Sequence, residues 1–299
     1  MELRHIRYFL AVAEEGNFTR AAQRLGIGQP PLSTQIRDLE REVGAALFHR
    51  VPHGAELTEA GTAFLAEVRG LPNRARGAIE AARRAARGET GTLALGFTGT
   101  AALNPVVSAS IRAFRRSFPE VVIRVEEASS IELNTRLIER GIDVAILRPS
   151  PSDPGEMRVH ELLSEPLILA LPAAHPAAAE ETVALARLCH EPMILTPRSV
   201  GVGLHDAAVS ACHAAGFTPV LGQAAPYIAS ILSLVASELG VSLVPSGLRE
   251  VRVEGVAYRD IRPPVPRVSL ALAYRSRNPP RLALNLAALA RAVARGRSL

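Results

Sequence analysis

Residues Phe18 to Val43 read FTRAAQRLGIGQPPLSTQIRDLEREV, and the N-terminal fold follows from them. Asn17 is a good cap for a helix over Phe18–Leu25, in which Ala21, Ala22 and Leu25 are small or apolar enough for close packing. Gly26-Ile27-Gly28 makes the turn. A second helix starts at Pro30-Pro31, where missing amide donors cost nothing because first-turn donors have no partner anyway. Leu32, Ile36, Leu39 and Val43 fall within roughly 60° of one another at about 100° per residue, a single stripe predicted to be buried. The opposite face carries Ser33, Thr34, Arg37 and Arg41, with Asp38, Glu40 and Glu42 on the flanks. Short hydroxyls early and arginines later suit a helix that enters the major groove of DNA by its N-terminal end, and Gln29 just ahead has an amide that can pair two-pronged with adenine. Taken alone, the same face also fits an ordinary solvated helix.

Before this stretch, Leu3, Ile6, Phe9, Leu10 and Ala13 predict an amphipathic first helix that ends at Gly16. After it, Leu47-Phe48-His49-Arg50 and Glu56-Leu57 flank the turn residues Val51-Pro52-His53-Gly54-Ala55, a hairpin. Following a helix-turn-helix, such a hairpin is a wing, with Arg50 expected along the phosphate backbone.

Residues 1–65 resemble the winged helix-turn-helix of the LysR-type transcriptional regulators. The resemblance is carried by Arg7-Tyr8-Phe9, Asn17-Phe18-Thr19-Arg20-Ala21-Ala22, Gln29-Pro30-Pro31-Leu32-Ser33, Gln35-Ile36, Leu39-Glu40, Gly44, Leu47-Phe48, Arg50, and Leu57-Thr58 with Ala60-Gly61. It implies that Gln29, Pro30, Pro31, Ser33 and Thr34 meet bases or phosphates of double-stranded promoter or operator DNA, with Arg37 beside them and Arg50 on the wing. Related regulators often carry arginine where this chain has Thr34, a departure that bears on operator preference.

Thr58 is a fitting cap for a long linker helix, in which Val68, Leu71, Ala75, Ala78 and Ala82 recur by threes and fours. That spacing fits a seam between two copies or a merely buried face; in the family it resembles, this helix pairs two subunits. Gly70-Leu71-Pro72 is expected to kink or split the linker, since an interior proline removes one hydrogen bond and clashes with the preceding turn. Gly88 to Gly91 is read as a hinge.

From residue 92, short apolar runs alternate with helical patterns. Strands are predicted at Leu93–Phe97, Val121–Val125, Ile142–Leu147, Pro166–Leu171, Met193–Leu195, Val241–Val244 and Val268–Tyr274. Helices are predicted at Pro105–Phe118, Ile131–Arg140, Leu204–Ala215, Ile228–Glu238 and Pro280–Ala294. This is the βαβ grammar of a mostly parallel sheet in two lobes, with crossings near residues 161–164 and 262–267. Ligands of such sheets sit beyond the carboxyl ends of strands, where helix N-termini present free amides. Thr98-Gly99-Thr100, Ser129-Ser130 and Arg148 follow the first three strands, so two sets of hydroxyls and one guanidinium make a candidate carboxylate pocket. Each hydroxyl alone also fits a helix cap. From the other lobe, Pro197 to Gly203 offers Pro197, Ser199, Gly201 and Val202 to close the cleft, and Ile228 an apolar wall. This segment resembles the effector domain of the LysR family, itself similar to periplasmic binding proteins, through Gly141-Ile142-Asp143-Val144-Ala145-Ile146 and Gly240-Val241-Ser242-Leu243-Val244-Pro245. Members answering aromatic acids such as benzoate, muconate or phenylpropanoid acids look closest, through MELRHIRYF, QPPLS, Thr100, Ser130 and Arg148. That implies an aromatic or unsaturated carboxylate effector.

The expected architecture is therefore α+β: a winged helix-turn-helix over 1–58, a linker and dimerisation helix over 59–90, and a two-lobed α/β domain over 91–299. Its first lobe is 91–161 with 267–299 and its second is 162–266. The expected partners are DNA, a small organic acid and the chain itself as dimer or tetramer, with RNA polymerase a further partner under the resemblance.

Composition narrows the alternatives. All 34 basic residues are arginine, which excludes Schiff-base lysine chemistry and a Walker-type phosphate lysine. The net charge is only +5, and residues 1–88 hold thirteen arginines against ten acids, so any DNA grip depends on placement rather than bulk charge. No run is long and apolar enough to span a bilayer, and MELRHIRYFLAVAEEG lacks the core and cleavage site of a signal peptide, so a cytoplasmic location without membrane contact is expected. Cys189-His190 and Cys212-His213 are poor metal pairs, because neighbours on a helix point about 100° apart; burial as small apolar groups is the expected role, with a redox disulfide as the alternative. No metal, cofactor or catalytic motif is expected, and Gly201-Val202-Gly203 is only a fragment of a dinucleotide fingerprint. A solute-binding protein would explain the second part alone, against which the signal-peptide reading and the winged module count, and an α/β enzyme finds no nucleophile–base arrangement to stand on.

Overall fold

The computed structural model describes residues 1–52 and 54–296; His53 at the expected wing tip and the end of the 91–299 segment lie outside the described residues. The chain divides into two compact units, Met1–Arg84 and Ala85–Leu299.

In the first unit, α1 (Leu3–Glu15), α2 (Phe18–Leu25) and α3 (Gln29–Val43) are followed by a hairpin of β1 (Phe48–Val51) and β2 (Gly54–Leu57), then α4 (Glu59–Val68) and α5 (Leu71–Arg87). Asn17 caps α2 as its sequence suggests, its side chain accepting from the amides of Thr19 and Arg20 at 2.8 and 3.1 Å. The core is an aromatic knot in which Phe9 meets Phe48 at 5.2 Å and Phe64 at 4.9 Å, with Phe18 on Phe48. Leu32, Ile36 and Leu39 point into it, but Val43 is 40% exposed, because α3 ends there at a left-handed Gly44 and the stripe runs past the core. The helix begins one residue earlier than expected, at Gln29, which places both prolines inside the first turn. Glu40, on a flank of α3, accepts from the amides of Leu47 and Phe48 at 2.8 and 3.2 Å and so fixes the start of the wing. The wing is held against the α1–α2 turn, where the Ala55 amide donates to the Gly16 carbonyl at 2.8 Å. A methyl on Gly54 would run into that carbonyl oxygen, so glycine is required there by close approach.

The linker breaks as expected, with α4 ending at Val68 and α5 starting at Leu71. The break lies ahead of Pro72, which sits in the first turn of α5, where it costs no hydrogen bond. Val68 belongs to the core of the first unit at 3% exposure rather than to a pairing seam. No residue of α5 is buried, and Ile79 is 53% exposed. Gly88 is not a free hinge: it is buried, adopts φ +69°, and the Asn285 side chain donates to the carbonyls of Arg87 and Gly88 at 3.0 and 3.4 Å.

The second unit runs β3 (Gly91–Phe97), α6 (Gly99–Ala102), α7 (Pro105–Ser117), β4 (Val121–Glu127), α8 (Ser130–Ile138), β5 (Val144–Leu147) and β6 (Met157–Pro172). It continues with β7 (Thr182–Val183), β8 (Pro192–Leu195), α9 (Val202–Ala214), β9 (Val220–Ala224), α10 (Ile228–Ala236), β10 (Ser242–Pro245), β11 (Val256–Ile261), β12 (Arg267–Arg275) and α11 (Arg281–Ala294). Strands β4, β3 and β5 are parallel, as the βαβ pattern predicts, but the sheet as a whole is mixed: β12 lies antiparallel to both β5 and β6, and β10 and β11 are antiparallel to β6. The first crossing, expected near 161–164, lies within a continuous strand. It is the middle of β6, which pairs with β12 up to Pro166 and with β10 and β11 from Leu167 onward. From Leu167 to Leu171 the strand is buried on both faces, Leu167, Leu169 and Leu171 in one cluster and Ile168 and Ala170 in another. Burying each of those leucines is worth about 1.5–3 kcal/mol, so the strand that joins the lobes is also one of their main anchors. Among the described residues, no helix is long and apolar enough to cross a membrane.

Candidate functional site

Two surfaces collect the sequence candidates. On the first unit, Pro30, Pro31, Thr34 and Arg37 lie along α3, with Pro31, Thr34 and Arg37 exposed. The Thr34 hydroxyl donates to the Pro30 carbonyl at 3.1 Å, and Arg37 reaches back to the Ser33 carbonyl and the Thr34 hydroxyl, both at 3.3 Å. This lays the guanidinium along the helix toward its N-terminal end. Ser33 is 5% exposed and takes a hydrogen bond from the Gln29 Nε2 at 2.8 Å, so it sets the rotamer of Gln29 rather than standing free. Arg50 is exposed on β1 and its guanidinium carbon lies 5.1 Å from the Phe18 ring centre, a cation–π contact that joins the wing to α2. The face thus presents donors, hydroxyls and arginines without any large excess of charge.

In the second unit a cavity of about 530 Å³ opens between the lobes. The paired strands β3, β4 and β5 end in register, with Phe97 opposite Glu127 and Ile146, so the segments that leave their carboxyl ends converge on one place. Thr98, Thr100, Ser129, Ser130 and Arg148 line the cavity from that side, and Ser199, Gly201 and Ile228 from the other. Pro197 and Val202 are not among its lining residues; Pro197 instead accepts from the amides of Val200 and Gly201 at 2.9 and 3.1 Å, which folds the turn so that Thr196, Val200 and Gly201 line the wall. Thr98 and Ser129 are also helix caps: Thr98 accepts from the Ala101 amide, and Ser129 forms a reciprocal capping box with Glu132. The amides at the start of α8 that the box leaves open have no partner within the helix.

Arg148 is the dominant electrostatic feature. It is 2% exposed, and its Nη2 donates to Glu165 Oε2 at 2.7 Å, while Glu165 Oε1 accepts from the Gly247 amide at 2.7 Å. The Nε and Nη1 of Arg148 are buried without a hydrogen-bond partner. Burial pulls the Arg148 pKa below the usual guanidinium value and the neighbouring Glu165 opposes that shift, so the charge is kept but under-solvated. A buried donor with nothing to donate to costs free energy, and a carboxylate oxygen is the group that meets a guanidinium best.

Sequence reasoning missed several lining residues: Glu127, Glu132, Arg136, Leu204 and Tyr227. It also missed Glu165, which does not line the cavity but organises its arginine. The one signal for Glu165 is a lone acid inside the apolar run LLSEPLILA, a place where a charge must have a partner. Glu127 closes β4 and Tyr227 immediately precedes α10, both positions at the strand or helix ends from which such sites are built. Among the described residues, no group of His, Cys, Asp and Glu is placed to hold a metal ion.

Residues 86–295 match the family described as LysR substrate binding domain, and residues 3–62 match the bacterial regulatory helix-turn-helix protein, lysR family. The HTH-type transcriptional regulator AlsR of Bacillus subtilis (strain 168) is 38% identical over 281 residues, covering 93% of this chain and 91% of that one. The Hca operon transcriptional activator HcaR of Escherichia coli (strain K12) is 33% identical over 275 residues, with 92% of each chain covered. Full-length CbnR solved in complex with its target DNA is similar in structure, with a TM-score of 0.82 at 28% identity, over 98% of this chain and 100% of that one.

Proposed function

The chain belongs to the LysR family of DNA-binding transcriptional regulators, with an effector-binding domain, and we propose that its effector is a small aromatic or unsaturated carboxylic acid bound between the two lobes. The observation that carries this reading is the buried guanidinium of Arg148, which lines the cavity with two of its nitrogens unpaired. An acid entering by its carboxylate would satisfy those donors and accept from the hydroxyls of Thr98, Thr100, Ser129 and Ser130. The remaining walls are supplied by Val200, Leu204, Tyr227, Ile228 and Ile131, apolar or flat surfaces that suit a ring or a conjugated chain. A volume of about 530 Å³ is in the range of pockets that enclose small organic ligands.

In the same reading, Gln29, Pro30, Pro31, Ser33, Thr34 and Arg37 form the DNA-contacting end of α3, with Arg50 on the wing. Helix α5 pairs with a second copy, as an exposed Ile79 on a helix with no buried residue favours.

The test is a thermal-shift and mobility-shift experiment on the full chain with a panel of aromatic and unsaturated acids. A bound acid at a hundred times its Kd stabilises by about 2.7 kcal/mol, readily seen as a rise in Tm. The double variant Arg148→Met with Glu165→Gln removes the anion site without stranding a buried charge. Acids that stabilise the wild type and this variant equally would rule the reading out.

A further inference from the structure

The charges around the cavity are not balanced, and the imbalance bears on which acids fit. Each guanidinium that lines it is matched: Arg148 by Glu165 at 2.7 Å, and Arg136 by Glu126 at 2.6 Å. The two carboxylates that line it, Glu127 and Glu132, are in no ion pair among the described residues. Glu132 accepts from the Ser129 amide at 2.9 Å, and that bond together with the Ser129 hydroxyl holds its carboxyl below the usual range, so it is ionised at neutral pH. Glu127, the last residue of β4, makes no side-chain hydrogen bond or ion pair among the described residues, and its Oε1 lies 2.6 Å from the position a Cβ on Gly99 would take. The carboxylate is thus set against the backbone of Gly99, beside the hydroxyls of Thr98 and Thr100.

Resting on the carboxylate reading above, we infer that the cavity selects acids with a single negative charge: one carboxylate at Arg148, and a far end that is neutral or cationic. A dicarboxylate long enough to seat one group on Arg148 must bring its second toward Glu127 and Glu132, where the other guanidinium of the lining, Arg136, is already held by Glu126. Glu127 is the specificity-determining residue in this account, since Glu132 is already committed to its capping box.

The decisive measurement is calorimetric titration of the full chain with two matched series: benzoate, terephthalate and 4-(aminomethyl)benzoate, then hexanoate, adipate and 6-aminohexanoate. The wild type binds the diacid of each series about tenfold or more weaker than the monoacid, the scale of one like-charge contact near a protein surface. Glu127→Gln narrows the ratio of monoacid to diacid affinity and weakens the amino acids relative to the plain acids. Raising salt from about 0.1 to about 0.5 M narrows the ratio in the wild type as well, because the glutamates are solvent-accessible and screened. Diacids that bind the wild type as tightly as monoacids, or a ratio unmoved by Glu127→Gln, would overturn the inference while leaving the anion site standing. Failure of every compound to bind would remove the carboxylate reading and this inference together.

Discussion

Arg148 and Glu165 form a buried ion pair at 2.7 Å, with side chains 2% and 3% exposed, and Glu165 also holds the Gly247 amide. The pair ties the end of β5 to the middle of β6 and to the turn after β10, so one carboxylate braces three strands of the unit. Removing one partner leaves a buried charge with no counter-ion. Glu165→Ala is expected to cost about 3–5 kcal/mol, and the double variant Arg148→Met with Glu165→Gln much less, because the charges leave together. Urea unfolding checks both. A double variant as unstable as Glu165→Ala would mean that something other than the stranded charge sets the cost, since a glutamine at 165 keeps an acceptor for the Gly247 amide.

On the proposal that the start of α3 contacts DNA, the Gln29–Ser33 hydrogen bond at 2.8 Å bears on how that face would read sequence. Ser33 fixes the direction in which Gln29 presents its amide. Gln29→Ala should therefore keep the fold and lose selectivity by about 1–3 kcal/mol, the worth of one good two-pronged base contact. Ser33→Ala should lose part of the same selectivity although Ser33 is buried. Competition binding between operator and random DNA at fixed salt measures this, and equal loss for both DNAs would place these residues on the backbone instead.

Much of this architecture is legible in the sequence because it rests on local signals. Asn17, the proline pair at the start of α3 and the apolar stripes each fix an element by themselves. The features that escape notice depend on partners far along the chain. Strand β9 is exposed along its whole length, and β11 carries Tyr258, Arg259 and Asp260, so neither shows an apolar run. The continuity of β6 through both lobes is hidden by residues 161–164, read from the sequence as a crossing ahead of a strand at Pro166, until β12 is seen alongside. For the cavity, the strand-end rule finds the hydroxyls and Arg148, whereas Glu165 is visible only as an acid in an apolar run.

Cys212 is fully buried, and burial pushes its thiol up to about 11. Cys189 is only half-buried. Alkylation of the native chain at about pH 8 should label Cys189 and spare Cys212, which reacts only after unfolding. The pH dependence has a definite sign. An unfolded thiol loses its proton near pH 8.5 to 9 while the folded Cys212 keeps it, so stability falls as pH rises through that region toward 11. Cys212→Val should flatten this part of the stability curve; an unchanged slope would assign it to other groups.

The seat of the wing depends on Gly54 lying against the Gly16 carbonyl, beside the 2.8 Å bond from the Ala55 amide. Gly54→Ala is expected to push the hairpin off the α1–α2 turn and to destabilise the first unit by about 1–3 kcal/mol, the usual cost of overpacking. On the proposed role of Arg50 along the phosphate backbone, DNA affinity should fall with it, since Arg50 moves with β1. Stability and affinity both at wild-type level would show that the wing tolerates a shift without consequence.

The last turn of α5 is joined to α11 through Asn285, whose amide donates to the Arg87 and Gly88 carbonyls. A Cβ on Gly88 would stand 2.9 Å from that amide nitrogen and 3.3 Å from the Leu282 amide, so the helix end is fitted to its neighbour as well as bonded to it. Helix α11 in turn contributes Ala283, Leu286 and Ala290 to the core beneath β3 and β12. A shift of that core on ligand binding therefore has a physical route to the linker helix. Asn285→Ala removes about 1 kcal/mol of hydrogen bonding at the joint, and Asn285→Asp sets a carboxylate against two carbonyls and should act more strongly. Both variants are expected to bind acid and operator DNA separately while the acid-dependent change in DNA bending shrinks, in the order alanine then aspartate. Bending assays with and without saturating acid decide the matter: a full response in Asn285→Asp would show that the coupling runs elsewhere.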